Sequence, residues 1–201
     1  NPGVLLLHGF LAHARCFAFI APFLAKEYYV VAYDFSGMGD SGVREAYPDE
    51  VRLQELMDVA RETGLFDNGR KPSIIAHSYG GSIARDFAAT YPVQVKALLM
   101  LDPSSEHDVD IMRAIDLEQA NREIAQIKLD DMANGMSNQY LDFWSKRPLP
   151  DYPQIKDMPV TVIASVKTHE KPAHLFFTDQ ARKMWGELWQ QWATAFPQGR
   201  A

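Results

Sequence analysis

The chain has 201 residues, 47% of them hydrophobic and 23% charged, with a formal net charge of −6 at pH 7. That length holds one domain with a sizeable core and leaves too little chain for two. The acidic balance argues against nucleic acid or an anionic membrane surface as the main partner. A single cysteine, Cys16, excludes an internal disulfide and says little about compartment. No apolar run approaches the roughly 20 residues of a membrane span. The chain opens on Asn1-Pro2, and Val4–Leu7 is too short for a signal-peptide core, so the reading favours a cytoplasmic location. The first strand starts almost at residue one, which is expected of a processed or partial chain.

In chain order, apolar runs of strand length alternate with amphipathic stretches of helical length, the pattern of βα units on a parallel sheet. Val4–Leu7 is the first expected strand and ends in the turn His8-Gly9-Phe10. Cys16–Lys26 reads as a helix, Tyr29–Tyr33 as the second strand, and Asp34–Ser41 as a glycine-containing loop. A helix is expected over Pro48–Thr63, with Gly64 as its stop signal. The strands are continuous in their apolar residues, which predicts cover on both faces.

The run Ser73-Ile-Ile-Ala-His-Ser-Tyr-Gly-Gly81 is the most specific local signal. An apolar strand stops, a serine follows, and a helix over Gly81–Thr90 begins. Ser78 has Ala76 two residues before it and Gly80 two after. Small neighbours are needed where strand and helix backbones approach closely, and the strained turn lifts the hydroxyl clear of the sheet. This is the composition of a nucleophile elbow, with Ala76 replacing the usual first glycine. The alternative is an ordinary serine in a βα loop.

Ala97–Leu101 is the fourth expected strand and ends at Asp102-Pro103. From Pro103 to about Met158 no convincing strand occurs. Asp116–Met132 carries helical spacing in Leu117, Ile124, Ile127 and Leu129. A segment that long is too large for a loop and reads as an inserted helical lid, with Met132, Met136, Phe143 and Trp144 giving an adaptable cover. The plainer alternative is a crossover helix with long loops. Val160–Ala164 is the fifth strand and Thr178–Phe196 the last helix.

The His8-Gly9 turn, the Gly37-x-Gly39-x-Ser41 loop and the Ser78 elbow, in this order, resemble the α/β-hydrolase superfamily from residue 3 to residue 196. The resemblance implies a parallel α/β-hydrolase core in one partial domain spanning residues 1–201, with the lid inserted at about 103–158. It implies that the first strands and the last strand are missing. Ser78 then matches the nucleophile, and the backbone N–H groups of Phe10 and Tyr79 match the oxyanion hole. The Asp34–Ser41 loop matches a structural loop. His8 and His77 are given no catalytic role.

The family acid often follows the strand matched by Val160–Ala164, but Thr168 sits at that position. Other members carry it one strand earlier, where Asp102 stands; Glu170 and Asp108 come behind it. The catalytic histidine of the family follows the last strand, and no residue of the 201 matches it. His169 is the candidate for a relocated base. The resemblance implies a serine hydrolase of small or medium esters acting on a small-molecule acyl substrate without metal or organic cofactor. Carbon–carbon bond hydrolysis, perhydrolysis and a non-catalytic ligand- or protein-binding module are the alternatives. A serine at the elbow argues against the dehalogenase and epoxide-hydrolase branches, which use a carboxylate nucleophile.

Overall fold

In the computed structural model of the chain, residues 1–45, 49–105, 107–133 and 158–201 are described. Six strands form one all-parallel sheet in the order β2-β1-β3-β4-β5-β6. They are β1 (Gly3–Leu7), β2 (Tyr29–Ala32), β3 (Ser73–His77), β4 (Ala97–Leu101), β5 (Val160–Ile163) and β6 (Gly199–Arg200). The chain runs from β1 outward to β2, then returns to place β3 on the other side of β1. That reversal is a topological switch point, where the carboxyl ends of two parallel strands part and leave a crevice. The turns after β1 and β3 both open onto it.

The helices are α1 (Ala21–Leu24), α2 (Asp49–Glu62), α3 (Tyr79–Thr90), α4 (Asp108–Ile115), α5 (Leu117–Ala133) and α6 (Asp179–Thr194). One sheet face carries the main core. Leu5, Leu7, Ile74, Ala76, Leu98, Met100, Val160 and Val162 pack there against Leu56 and Ala60 of α2, Ile83 and Phe87 of α3, and Trp185 and Trp189 of α6. Among the described residues, the opposite face is covered where Phe17, Ala21 and Leu24 lie over Val4, Leu6 and Ile75. β1 is therefore buried at all five positions, whereas β3 and β4 alternate buried with intermediate or exposed. The expectation of two covered faces holds for β1 alone among the described residues.

Two further expectations are corrected. The helix expected over Cys16–Lys26 is a 3-10 turn at Ala14–Phe17 followed by the four-residue α1. Pro22 accounts for the break, because a helix running through it would lose an N–H bond and clash with the carbonyl four residues earlier. The last strand, expected to be missing, is represented by Gly199–Arg200, paired in parallel with Val160 and Thr161. The turn into β6 is tight. A Cβ on Gly199 would stand 1.8 Å from the Ala193 carbonyl oxygen.

The expected insertion is helical where it is described. α4 and α5 bury Val109, Met112, Ala120 and Ile124 in a small satellite core with Leu175. Met136, Phe143 and Trp144 lie outside the described residues, as does the Met132 side chain. α6 is tied down by a ladder of rings: Phe176–Trp185 at 5.1 Å, Trp185–Trp189 at 5.6 Å, Trp189–Trp192 at 5.5 Å and Trp192–Phe196 at 4.7 Å between centroids. Offset and edge-to-face pairs of this kind add specific geometry to the apolar burial. Thr178 caps the helix, its Oγ1 accepting the Ala181 N–H at 3.3 Å.

Candidate active site

Ser78 follows the last residue of β3 with φ 50° and ψ −120°, a conformation that non-glycine residues rarely adopt. Strain of this kind costs about 1–3 kcal/mol and persists only where the surroundings over-determine it. Here they do. The Ser78 N–H donates to the Leu101 carbonyl at 3.1 Å, and the Ser78 carbonyl accepts the N–H groups of Gly81 at 2.8 Å and Ser104 at 3.0 Å. A Cβ on Gly80 would stand 2.6 Å from the His8 carbonyl oxygen and 2.7 Å from that of Leu7. A Cβ on Gly81 would meet Pro103 Cβ at 2.5 Å. Gly80 and Gly81 are small because a strand end and a loop press against them.

The turn after β1 is built around His8, which is fully buried. Its Nε2 accepts the Phe35 N–H at 3.1 Å, so Nδ1 carries the proton and donates to the Gly9 carbonyl at 2.7 Å. Burial holds its pKa below the ordinary histidine value, against the opposing pull of the Gly9 bond and the Asp34 charge. The ring is a structural post that ties the β1 turn to the loop after β2. Gly9 then fits against the elbow; a Cβ there would lie 3.1 Å from Ser78 Cβ. His77 is exposed and its ring also lies against Gly9.

The Asp34–Ser41 loop closes on itself. Asp34 accepts the N–H groups of Ala14 at 2.5 Å and Asp40 at 2.9 Å, and Ser41 Oγ donates to the Asp34 carbonyl at 2.6 Å. Burial raises the Asp34 pKa, but these bonds and the neighbouring histidines outweigh it, so the carboxyl ionises below its usual range.

Ser78, Phe10, Tyr79 and Asp102 all line one cavity of about 510 Å³ at the carboxyl ends of the strands. Phe10 and Tyr79 meet edge to face at 5.8 Å. Asp102 also has a positive φ, 42°. Its Oδ1 accepts the Ser165 N–H at 2.9 Å and the Trp185 Nε1–H at 3.1 Å, and no described residue donates to Oδ2. Asp108 and His169 are on the same wall, whereas Glu170 is exposed and outside the cavity lining. His169 packs edge-on against Phe177 at 5.6 Å. Among the described residues no histidine bonds the Ser78 hydroxyl; its partner is Ser104 Oγ at 3.4 Å.

Sequence reasoning did not single out Ser104, Arg182 or His174, all on the cavity wall. Ser104 had a usable signal, since it follows Asp102 in a loop at a strand's carboxyl end. Arg182 is 4% exposed and stacks over the Phe176 ring at 5.1 Å. Burial draws its pKa below the ordinary value, against the pull of the Asp102 carboxylate 3.8 Å away. Among the described residues no cluster of three or more histidine, cysteine or acidic side chains is spaced to hold a metal, and no helix is long and apolar enough to cross a membrane.

An all-parallel sheet with a strained serine at its switch point defines the class. A model of the alpha/beta hydrolase family matches residues 4–201, and the chain belongs to that family. Over 104 residues it is 35% identical to the serine hydrolase-like protein of Homo sapiens, a match covering 51% of this chain and 50% of that protein. It is 32% identical over 104 residues to the fluoroacetate dehalogenase of Burkholderia sp, covering 51% of this chain and 34% of that one. The matched segment thus spans half or less of either curated relative. The structure of a probable hydrolytic enzyme from Pseudomonas aeruginosa superposes on 100% of this chain and 77% of its own, with TM-score 0.70 and 20% identity, a likeness of fold.

Proposed function

We propose that this domain is a serine hydrolase that cleaves carboxylic esters through an acyl-enzyme on Ser78. The observation that carries the reading is the serine itself, held at positive φ between β3 and α3 on the wall of the cavity at the carboxyl ends of the strands. Ser78 Oγ attacks the acyl carbon and its proton passes to a general base, while the carbonyl electron pair moves onto oxygen. The N–H groups of Phe10 and Tyr79 meet that oxyanion, and one such donor is commonly worth about 10²–10³ in rate. Collapse breaks the ester C–O bond, and the departing alkoxide takes the proton from the base. Water then repeats the sequence on the acyl-enzyme, releasing the acid and restoring the hydroxyl.

Asp102 is the acid in this reading, with Oδ1 held by two N–H donors and Oδ2 left to orient a histidine. Asp108 shares the wall, and Glu170 falls behind both. The family resemblance puts the base after the last strand; His169 is the second source, favoured by its place on the cavity wall. α4 and α5 belong to a lid over the site within a single domain. The dehalogenase relative notwithstanding, a serine in place of a carboxylate supports acyl-enzyme rather than alkyl-enzyme chemistry. The same geometry supports carbon–carbon bond hydrolysis and perhydrolysis.

The test is turnover of 4-nitrophenyl esters of graded acyl length by the protein at its natural length, beside Ser78→Ala and His169→Ala. Ser78→Ala is expected to lower kcat at least about 10³-fold, as removal of a nucleophile does. Full activity in that variant sinks the reading. A loss in His169→Ala as large as that in Ser78→Ala assigns the base to His169; retained activity assigns it elsewhere.

A further inference from the structure

Arg182 sits in the wall of the Ser78 cavity under unusual conditions for a permanent cation. It is 4% exposed, yet its guanidinium makes no hydrogen bond to any described residue. The nearest acceptor is Asp102 Oδ1 at 3.8 Å, beyond hydrogen-bonding range. That oxygen already receives the Ser165 and Trp185 N–H groups, so it is not waiting for the arginine. Below, the Phe176 ring supports the guanidinium plane at 5.1 Å. Arg182 is thus largely covered by protein, sits over the Phe176 ring and has no hydrogen-bond acceptor for its fork among the described residues, while its side chain helps to line the cavity. A guanidinium presents five donors in a planar fork that matches a carboxylate bidentately. Lys167 lines the same cavity and adds a second positive charge to it.

We infer that Arg182, assisted by Lys167, is a carboxylate-recognition subsite, and that the substrate is an ester carrying a second, free carboxylate, such as a monoester of a dicarboxylic acid. The inference rests on the ester-hydrolase reading only for the word ester; the anion subsite stands on the geometry of Arg182. A substrate carboxylate would supply the hydrogen-bond acceptor that the fork lacks beside its 3.8 Å ion pair with Asp102. A neutral acyl chain in the same place would leave the guanidinium desolvated and unmatched, which penalises the wrong substrate. Discrimination therefore comes from both attraction and rejection.

The test compares mono-4-nitrophenyl adipate with 4-nitrophenyl hexanoate, whose acyl chains end in a carboxylate and a methyl group, on the natural-length protein. Calorimetric binding of adipate and of neutral adipamide to the Ser78→Ala protein supplies a readout independent of turnover. The expected result is preference for the adipate ester in kcat/KM, with adipate bound and adipamide not. In Arg182→Gln the adipate-to-hexanoate ratio and the adipate affinity should each fall about tenfold or more, the scale of a lost charge-assisted pair. Arg182→Lys, which keeps the charge and loses the fork, should fall between, and its unfolding curve reports whether the buried site tolerates change. If the glutamine variant does not fold, the wild-type preference and the lysine variant decide. Adipate binding that depends on Arg182, with neither ester turned over, upholds the subsite and removes the hydrolase reading. Turnover of the hexanoate ester at least as efficient as that of the adipate ester, with no adipate binding, overturns the subsite and leaves the hydrolase reading intact.

Discussion

Ser78 and Gly80 show how much of this site is decided by single atoms. The serine is tolerable at φ 50° because its N–H bonds the end of β4 at Leu101 and its carbonyl accepts from Gly81 in the first turn of α3 and from Ser104 in the loop after β4. Gly80 is the residue that lets those strand ends come so close. Adding one methyl there sets a Cβ 2.6 Å and 2.7 Å from two backbone oxygens, and backbone cannot swing aside. Gly80→Ala should therefore destabilise the domain by about 1–3 kcal/mol, read as a lower midpoint in urea unfolding. An unchanged midpoint would mean that the elbow packs less tightly than described. The residue pattern around Ser78 was legible because everything it needs is local: a strand, a serine, small neighbours and a helix within a few positions. Arg182 was not legible in the same way. Its neighbours Asp102 and Ser78 lie 80 and 104 positions away in the chain, and only the parallel sheet brings them to one wall.

At the scale of elements, His8 joins the turn after β1 to the loop after β2 by accepting the Phe35 N–H and donating to Gly9. The arrangement requires a neutral ring. Because the folded pKa is lowered from 6.5, the unfolded chain takes up the proton first as pH falls. The contribution is fully present above the unfolded value and is lost as pH drops below it through the folded value. Urea unfolding between about pH 7.5 and 5 should show wild-type stability falling, with a shallower fall in His8→Gln. Parallel slopes in the two proteins would exclude this role for the ring. Element types were legible from apolar runs, while their ends and continuity were set by details of single residues. Pro22 splits the expected first helix, and Gly199 admits a two-residue β6 where no apolar run announces a strand.

For the whole molecule, the sheet order places the ends of β1, β3, β4 and β5 around one cavity, so that four loops distant in sequence build one site. The family was legible because its three motifs fall in order along the chain, and the family match over residues 4–201 agrees. The cover on the sheet was less legible. Continuous apolar strands predict two buried faces, yet among the described residues the second face is packed only beneath α1 and the turn before it. A fluorophosphonate tests the central claim most directly, since it reports whether Ser78 is a nucleophile and needs no knowledge of the substrate. Applied to the natural-length protein, it should form one covalent adduct that peptide mapping places on Ser78 and that Ser78→Ala abolishes. An unlabelled wild-type protein, or an adduct that persists in Ser78→Ala, would contradict the account and favour a binding module built on the same fold.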